Sequence, residues 1–463
     1  MRARGRIGTL LTLLTLFAIS GCQRPQRSVI WIVVDTLRAD HLEWYGYERQ
    51  TSPELAPWIA EGTLFELAIS PQPETTPAVA SLLTGLYPPR HGVRSLYRRL
   101  HDDNRTAAEI FHDAGYDTAA FVSSFVMIQE FTNFAQGFDE YEDFVSDREL
   151  SRENFERSAR ETLALAERWV RARDPENPFF LFVHLIEPHG PYTPPEPWAS
   201  RFHSAETFEI PGKIAKYQRL PGLTDYASYL DRYDGEIACL FSSLGSFLRT
   251  LRDAGTLDRA MFALTADHGE SLGERDRYFR HGDNVFQENV HVPLLLHLPE
   301  AGPAERGRRV AEVVSLVDLL PTALEFAGIG GPSGLDGRSL FGTGRRDPTT
   351  ARTILAWSRP GGPYGFARFA GRNKSMLRSD VSPAVWESFD LQSDPAEVSA
   401  GEVPGDLREA MARDYAAWND HQTPFVVENN LMSQTLRADF VAERLRKRDQ
   451  EDLERLRSLG YVN

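Results

Sequence analysis

Carboxylate and imidazole side chains stand directly after two short apolar runs of this chain. Asp35 follows the run at 28–34, and Asp267 and His268 follow the run at 261–266. If both runs are parallel strands, their carboxyl ends share one edge of a sheet, which is where ligands bind in such folds. Carboxylate oxygens and an imidazole nitrogen can together hold a divalent ion. The sequence therefore predicts a metal site at this edge.

A threonine pair at the start of a predicted helix adds a hydroxyl to this set. In ETTPAVASLLTG (74–85), Thr76 can cap the helix and Pro77 can be its first residue. Thr75 then stands just outside the helix, where free backbone N–H groups and the positive end of the helix dipole favour an anion. Its hydroxyl is either a spare cap or a nucleophile directed at a phosphate or a sulfate.

Two sequence patterns, one typical of strands and one typical of helices, alternate along the chain and predict the elements that position these side chains. Apolar runs rich in β-branched and aromatic residues predict strands at 28–34, 118–122, 179–184, 261–266 and 293–298. Amphipathic segments between them predict helices at 105–115, 157–172 and 236–255. This alternation favours an α/β fold with a large, mainly parallel sheet flanked by helices. The Pro-rich stretch from 191 to about 222 is longer than most connections, which predicts a wall of the active site.

The composition of the chain changes after about residue 345. Short strand-like pieces broken by Gly and Pro follow, and residues 436–462 predict a charged amphipathic helix at the end. We therefore expect a catalytic domain at 22–345 and a smaller C-terminal subdomain at 346–463. The formal net charge of −15 argues against a nucleic-acid partner, because binding phosphates requires an excess of Lys and Arg.

The amino terminus has the features of a secretion signal. Three arginines precede an apolar stretch at 7–20, and the segment ends in Ile-Ser-Gly-Cys at Cys22. That ending resembles a bacterial lipobox, which implies a signal peptide at 1–21 and a lipid on the Cys22 sulfur. We expect an exported, periplasm-facing protein whose membrane contact is this lipid anchor, in the outer membrane rather than the inner. An ordinary signal peptide containing a cysteine is the alternative. Cys239 is then most simply a small buried hydrophobe.

From about residue 28 to its end, the chain resembles the sulfatase-like family of the alkaline phosphatase superfamily. The resemblance rests on the order and spacing of these motifs: VVDTLRADHLEWYGY (33–47), TSPELAPWIAEGTLFE (51–66), TTPAVASLLTGLYPPRHGV (75–93), EPHGPY (187–192), YDGEI (233–237), TADHGESLGE (265–274), RHGDNVFQENVHVPLLL (280–296), VSLVDLLPTALEFAGI (314–329), LDGRSL (335–340) and FDLQSDPAE (389–397). It implies the α/β sandwich of that family, a catalytic divalent metal ion and the hydrolysis of an ester.

Three motifs depart from the pattern of the sulfatases. Their oxidised Cys or Ser is replaced here by Thr75, and the arginine of the same motif is replaced by Val79. Their double aspartate appears as Asp35 followed by threonine, and their Asp-Asn pair appears as Asp267 followed by histidine. All three departures resemble the threonine-dependent phosphatases, phosphodiesterases and phosphoethanolamine transferases of the superfamily.

The resemblance implies a role for each site residue. Thr75 is the implied nucleophile, His281 and His189 bind the substrate or assist the leaving group, and His184 binds the substrate. The implied metal ligands are Asp35, Thr75, Asp267 and His268. Because an imidazole nitrogen replaces an amide oxygen, Zn²⁺ or Mn²⁺ is favoured over Ca²⁺. The three histidines His184, His189 and His281 are possible ligands of a second ion, so the number of ions stays open.

The expected substrate is a phosphoric ester of a small molecule, glycan or lipid, with a sulfuric ester as the second choice. A threonine sulfate has no carbonyl route by which to expel sulfate, which favours phosphorus. Two alternatives stay open. One is a phosphoethanolamine-type transferase to glycan or lipid, and the other is a degenerate lipoprotein that only binds anions.

Overall fold

Strands and helices alternate along most of the chain. The computed structural model describes residues 27–96, 98–145, 147–148, 155–210, 212–215, 218–299, 302, 305–341, 352–359, 365–378 and 383–420. The strands are β1 Ser28–Val34, β2 Thr63–Ile69, β3 Asp117–Val122, β4 Glu140–Glu142, β5 Asp147–Arg148, β6 Phe155–Glu156, β7 Phe179–Leu185, β8 Ala260–Ala266, β9 Ser271–Leu272, β10 Tyr278–Arg280, β11 His291–His297, β12 Arg308–Val310, β13 Val314–Ser315, β14 Thr353–Trp357, β15 Phe366–Ala370, β16 Asn373–Arg378 and β17 Val385–Asp390. The helices are α1 Ala56–Glu61, α2 Thr75–Thr84, α3 Pro88–His91, α4 Ala107–Asp113, α5 Gln129–Thr132, α6 Ala159–Ala172, α7 Tyr226–Asp253, α8 Gln287–Val290, α9 Leu319–Ala327 and α10 Gly405–Asp420.

The main sheet has nine strands in the order β12-β2-β11-β8-β1-β7-β3-β4, with β13 also paired to β2. Only β11 among them is antiparallel to its neighbours. β1 lies between β7 and β8, and Val34 pairs with both Leu185 and Ala266. These three strands are buried along their whole length, as expected for a sheet covered by helices on both faces. The predicted α/β fold with a mainly parallel sheet is confirmed.

The five predicted strands all form, with ends that differ by one or two residues. The structure adds β2 at Thr63–Ile69, which follows α1 after a single glycine. The helix expected at 236–255 is longer and begins at Tyr226, where the Asp225 side chain accepts a hydrogen bond from the Ser228 N–H. None of the helices among the described residues is long and apolar enough to cross a membrane.

A small antiparallel sheet of β14 to β17 forms the C-terminal part of the described chain, as the change in composition predicted. Its apolar face packs on the main part of the protein, where the contacting residues are Leu67, Ile69, Val285, Phe286, Val290 and Val313. The predicted helix at 436–462, the signal segment 1–21 and Cys22 lie outside the described residues. Cys239 is partly exposed, so the expectation that it is a buried hydrophobe is wrong.

Candidate active site

The ends of β1 and β8 bring the predicted metal ligands together. Ligand atoms of Asp35, Asp267 and His268 all lie within 4.8 Å of one another, and all three side chains are buried. His268 Nε2 is 3.7 Å from Asp35 Oδ1 and 3.6 Å from Asp267 Oδ2. The cluster exists because β1 and β8 are neighbours in parallel register, so the residues that follow each strand meet.

Hydrogen bonds on the outer side of His268 and Asp267 leave one ligand atom of each facing the cluster. His268 Nδ1 lies 2.9 Å from the Gly269 carbonyl, an arrangement in which Nδ1–H donates and Nε2 stays unprotonated. Burial lowers the pKa of His268 to about 4, so the ring is neutral at pH 7. Asp267 Oδ1 accepts the backbone N–H groups of Thr36 and His268.

The residues of this cluster fit a divalent ion. Among the described residues, Asp267 Oδ2 accepts no hydrogen bond although the side chain is fully buried. A buried carboxylate oxygen in that state is costly unless a cation or water binds it. Thr36 has a φ of 54°, a left-handed conformation that β-branched residues rarely adopt. In this conformation its N–H faces Asp267, which indicates that local strain is tolerated to orient this carboxylate.

Thr75 joins this cluster from the amino end of α2. Its Oγ1 is 3.4 Å from Asp35 Oδ2 and 3.4 Å from His268 Nε2. Thr75 is the first residue of the helix and Glu74 is the N-cap, so the expectation that Thr75 lies just outside is wrong by one residue. The hydroxyl therefore reaches two of the three clustered side chains at once.

Thr76 does not cap α2, contrary to the prediction. Its hydroxyl donates to the Val126 carbonyl at 3.3 Å, and the Glu74 side chain makes no capping hydrogen bond either. The contact to a distant loop satisfies the hydroxyl, so the local capping preference is overridden. No side-chain cap therefore competes with an anion for the first N–H groups of α2.

His184 lies against the carboxylates of the cluster. Its Nε2 is 3.9 Å from both Asp35 Oδ2 and Asp267 Oδ2, and the side chain is fully buried in β7. Although burial alone would raise it, His268 and His184 hold the pKa of Asp267 below its usual value. The predicted roles of His184 in binding substrate or a second ion stay predictions.

His281 and His189 border the cluster on one side. The ring of His281 is centred 4.6 Å from that of His268 and 5.3 Å from that of His189. His281 Nδ1 is 3.0 Å from Oε1 of Glu270, a carboxylate with no exposed surface. Such a contact fixes the orientation of the imidazole and directs its Nε2 away from Glu270.

Glu270 is a functional candidate to which sequence analysis gave no role, although it lies in the quoted motif TADHGESLGE. Its second oxygen, Oε2, accepts from Tyr192 Oη at 3.1 Å and from Gln218 Nε2 at 3.3 Å. Tyr192 and Gln218 both belong to the irregular stretch 191–222. That stretch therefore contributes to the wall behind His281.

Two further charged residues flank Thr75. Glu74 is buried, and burial raises its pKa to about 7. Arg359 comes from the segment after β14, and its Nη1 lies 3.7 Å from Glu74 Oε1. The Arg359 N–H donates to the Gly282 carbonyl, next to His281. Sequence patterns gave no signal for Arg359, because it is separated from Thr75 by almost three hundred residues.

Known proteins are similar to this chain in sequence and in fold. The sequence pattern of the sulfatase family, described as Sulfatase, matches residues 27–329. An arylsulfatase of Clostridium perfringens is 25% identical over 444 residues, covering 80% of this chain and 89% of that protein. The solved structure of a phosphonate monoester hydrolase of Agrobacterium radiobacter has a TM-score of 0.65 at 20% identity, covering 85% of this chain and 96% of that chain. The solved structure of BT4656 in complex with its substrate D-glucosamine-2-N,6-O-disulfate has a TM-score of 0.68 at 19% identity, covering 86% and 99%.

The family match spans more than half of the chain and includes every residue of the cluster. The chain belongs to the sulfatase family. It is therefore an ester hydrolase of that family, and Asp35, Asp267 and His268 are the candidate ligands for the metal ion on which the family depends.

Proposed function

We propose that this protein is a phosphoester hydrolase in which unmodified Thr75 is the nucleophile. The observation that carries the proposal is the position of Thr75 Oγ1, 3.4 Å from Asp35 and 3.4 Å from His268 at the amino end of α2. The sequence has Val79 where the oxidation motif of sulfatases has arginine. A threonine ester of phosphate can be released by water, whereas sulfatases expel sulfate from an oxidised side chain.

The proposed ion is Zn²⁺ or Mn²⁺, held by Asp35, Thr75, Asp267 and His268. The neutral imidazole of His268 supports this choice, because nitrogen ligands suit these ions better than Ca²⁺. When bound there, a divalent ion would neutralise charge on the ester and lower the pKa of the Thr75 hydroxyl.

The side chains of the site account for the bonds and protons of both steps. In the first step Thr75 Oγ1 attacks phosphorus and gives its proton to Asp35, while the bond to the leaving oxygen breaks and His281 protonates that oxygen. The product is a phosphothreonine. In the second step water attacks phosphorus and gives a proton to His281, and Asp35 returns its proton to Thr75 as the ester bond breaks.

Substitution of Thr75 tests the proposal. Thr75→Ala should lower kcat for an aryl phosphate by at least about a hundredfold, because a nucleophile is lost, and Thr75→Ser should keep part of the activity. Thr76→Ala is the matched control, since it removes the neighbouring hydroxyl and should keep near-normal kcat. The intact mass of the wild-type protein should show an unmodified residue 75.

Three results would contradict this proposal. They are an oxidised side chain at position 75, an essential Thr76 with a dispensable Thr75, and faster cleavage of aryl sulfate than of any phosphate or phosphonate ester. Release of the group to an added alcohol instead of water would replace the hydrolase by a transferase.

We propose further that the protein is exported and anchored by a lipid on Cys22, which lies outside the described residues. The arginines and apolar stretch before the Ile-Ser-Gly-Cys ending support this. A fatty-acid probe should label the wild-type protein and leave Cys22→Ala unlabelled. Equal labelling of both would show that no lipid is attached there.

A further inference from the structure

A cavity lined by basic side chains lies at the amino ends of β1 and β7, at the end of the main sheet opposite the metal cluster. Its volume is about 410 Å³, and it is bordered by the first residues of β1 and β7 and by the segments that follow α6 and α7. Ser28 and Phe179 line it at the points where their parallel strands begin. Because the same strands end at the metal cluster, the whole length of the sheet separates this cavity from Thr75.

Arg173 forms one side of the cavity. Its guanidinium lies over the Phe179 ring, with Cζ 4.1 Å from the ring centre. Nη1 donates to the carbonyls of Asp174 and Asn177, and it lies 3.8 Å from an Asp117 oxygen. Within the part of the chain that the structure describes, the buried Nε makes no hydrogen bond. Arg173 is thus held rigidly and keeps one donor unused.

Arg259 forms the facing side of the cavity just before β8 begins. Its Nη2 approaches the Pro175 carbonyl at 3.4 Å, and it has no ion pair with any described residue. Burial lowers the pKa of Arg173, and the positive charge of Arg259 acts in the same direction while Asp117 opposes it. Both guanidinium groups contact the same turn, Arg173 through the Asp174 and Asn177 carbonyls and Arg259 through the Pro175 carbonyl, so an anion in the cavity would lie beside both.

A third arginine and one carboxylate complete the charged lining. Arg171 is 62% exposed and pairs with Glu167 at 2.9 Å, so it contributes little charge inside the cavity. Glu176 is an exposed carboxylate at the rim. Asp117 partly offsets the charge of Arg173, so the positive charge that no described carboxylate pairs with comes from Arg259.

We propose that this cavity binds a phosphate group, either of a free phosphate or of a phospholipid headgroup. Guanidinium groups present paired donors that match phosphate oxygens. Arg173 is mostly buried and fixed by its contacts, whereas Arg259 is exposed and can turn its donors towards a ligand. Ser28 is six residues after Cys22 in the sequence, so a lipid on Cys22 would hold the cavity within about 20 Å of a membrane surface. The proposal does not depend on which ester Thr75 attacks.

Phosphate binding to the full-length protein tests this site. Thr75→Ala serves as the background so that no probe is turned over, and inorganic phosphate is titrated by calorimetry. Arg259→Gln should weaken binding at the cavity by at least tenfold, and Arg259→Lys should weaken it less. Arg249→Gln on α7 is the matched control, since it removes an exposed arginine that only donates to Ser246.

A second titration distinguishes the two sources of phosphate. Monomeric dihexanoyl phosphatidylglycerol is compared with inorganic phosphate, and dihexanoyl phosphatidylcholine provides the zwitterionic control. If phosphatidylglycerol binds more tightly than inorganic phosphate and Arg259→Gln abolishes that binding, the ligand is a lipid headgroup. If Arg259→Gln weakens the binding of inorganic phosphate alone, the ligand is a free phosphate.

Two results overturn the proposal. One is equal binding of both probes by the Arg259→Gln protein and its Thr75→Ala parent, and the other is an equal loss in Arg249→Gln. Measured with Thr75 intact, the kcat/KM of Arg259→Gln for an aryl phosphate should match that of wild type. If the wild-type protein cleaves no phosphate ester but Arg259→Gln still weakens phosphate binding, the proposed hydrolysis is contradicted and this binding site is supported.

Discussion

At the scale of single residues, we expect Asp267 to determine whether the cluster holds a metal. One of its oxygens is occupied by two backbone N–H groups, and the other lies 3.6 Å from His268 Nε2. We expect purified protein to contain one equivalent of Zn²⁺ or Mn²⁺, and Asp267→Ala to retain less than about a tenth of it. Elemental analysis measures both, with the exposed Asp113→Ala as control. Stoichiometric Ca²⁺, or undiminished metal in Asp267→Ala, would contradict the assignment.

Glu270 is expected to act through His281 as a positioning residue. Glu270→Gln keeps the size of the side chain but removes the charge that orients His281 Nδ1. We expect kcat to fall by about tenfold to a hundredfold, with a larger loss for phenyl phosphate than for p-nitrophenyl phosphate, because the poorer leaving group depends more on a proton from His281. Steady-state kinetics with both esters measure the difference.

Tyr192→Phe is the control for this prediction. It removes one hydrogen bond to Glu270 but leaves the contact between Glu270 and His281 in place. The variant should lose less than Glu270→Gln and show the same loss for both esters. Equal losses for both esters in Glu270→Gln would mean that Glu270 only supports the fold.

At the scale of elements, α2 contacts a buried histidine at the end of α3. His91 Nδ1 accepts the Val93 N–H at 3.1 Å, so Nε2 carries the proton and lies 2.9 Å from Ser81 Oγ in α2. A second proton, on Nδ1, would point at the Val93 N–H and break this hydrogen bond. Burial, and to a smaller extent Arg94, lower the pKa of His91 to about 3.

This lowered pKa predicts the pH dependence of stability. Because the unfolded chain binds a proton at a pKa of about 6.5 and the folded protein does not, the free energy of unfolding should fall as the pH drops from 6.5 towards 3. Between pH 7 and pH 5 His91 should account for a loss of about 2 kcal/mol. Urea unfolding of wild type and His91→Gln at both pH values measures it. A loss of the same size in both proteins would show that His91 does not contribute.

At the scale of the whole molecule, a buried ion pair of the C-terminal part contacts the segment that precedes β11 of the main sheet. Lys374 in β16 pairs with Glu397, and neither side chain has exposed surface. Lys374 Nζ also donates to the Val285 carbonyl, and Glu397 Oε2 accepts the Gln287 N–H at 2.7 Å. The pair therefore fixes the C-terminal sheet against the segment that leads from His281 into β11.

Breaking this pair on one side should be strongly destabilising. Lys374→Met leaves a buried, unpaired carboxylate and should cost about 3–5 kcal/mol of unfolding free energy. Adding Glu397→Gln should recover at least half of that loss, because no buried charge remains. Urea unfolding measures both proteins, and Lys213→Met, which breaks an exposed pair with Asp276, should change little. A double variant no more stable than Lys374→Met would mean that packing, not charge, is responsible.

The sequence by itself determined the central strands of the main sheet and the residues of the candidate metal cluster. Fully apolar runs mark strands buried on both faces, and the polar residues that end two such runs, Asp35 and Asp267, must meet when those strands are parallel neighbours. These patterns depend only on residues that are neighbours in sequence, so they can be recognised without the tertiary structure. The start of α2 and Thr75, the proposed nucleophile at its amino end, could be placed to within one residue for the same reason.

Only the tertiary structure decided which partner each buried polar group has. Thr76 looks like a cap in sequence, but it donates to Val126, fifty residues away. The pairs of Glu270 with His281 and of Lys374 with Glu397 likewise depend on how loops and sheets pack. The free energy of a buried hydrogen bond or ion pair depends on burial and distance in space, and neither quantity is written in the spacing of residues along the chain.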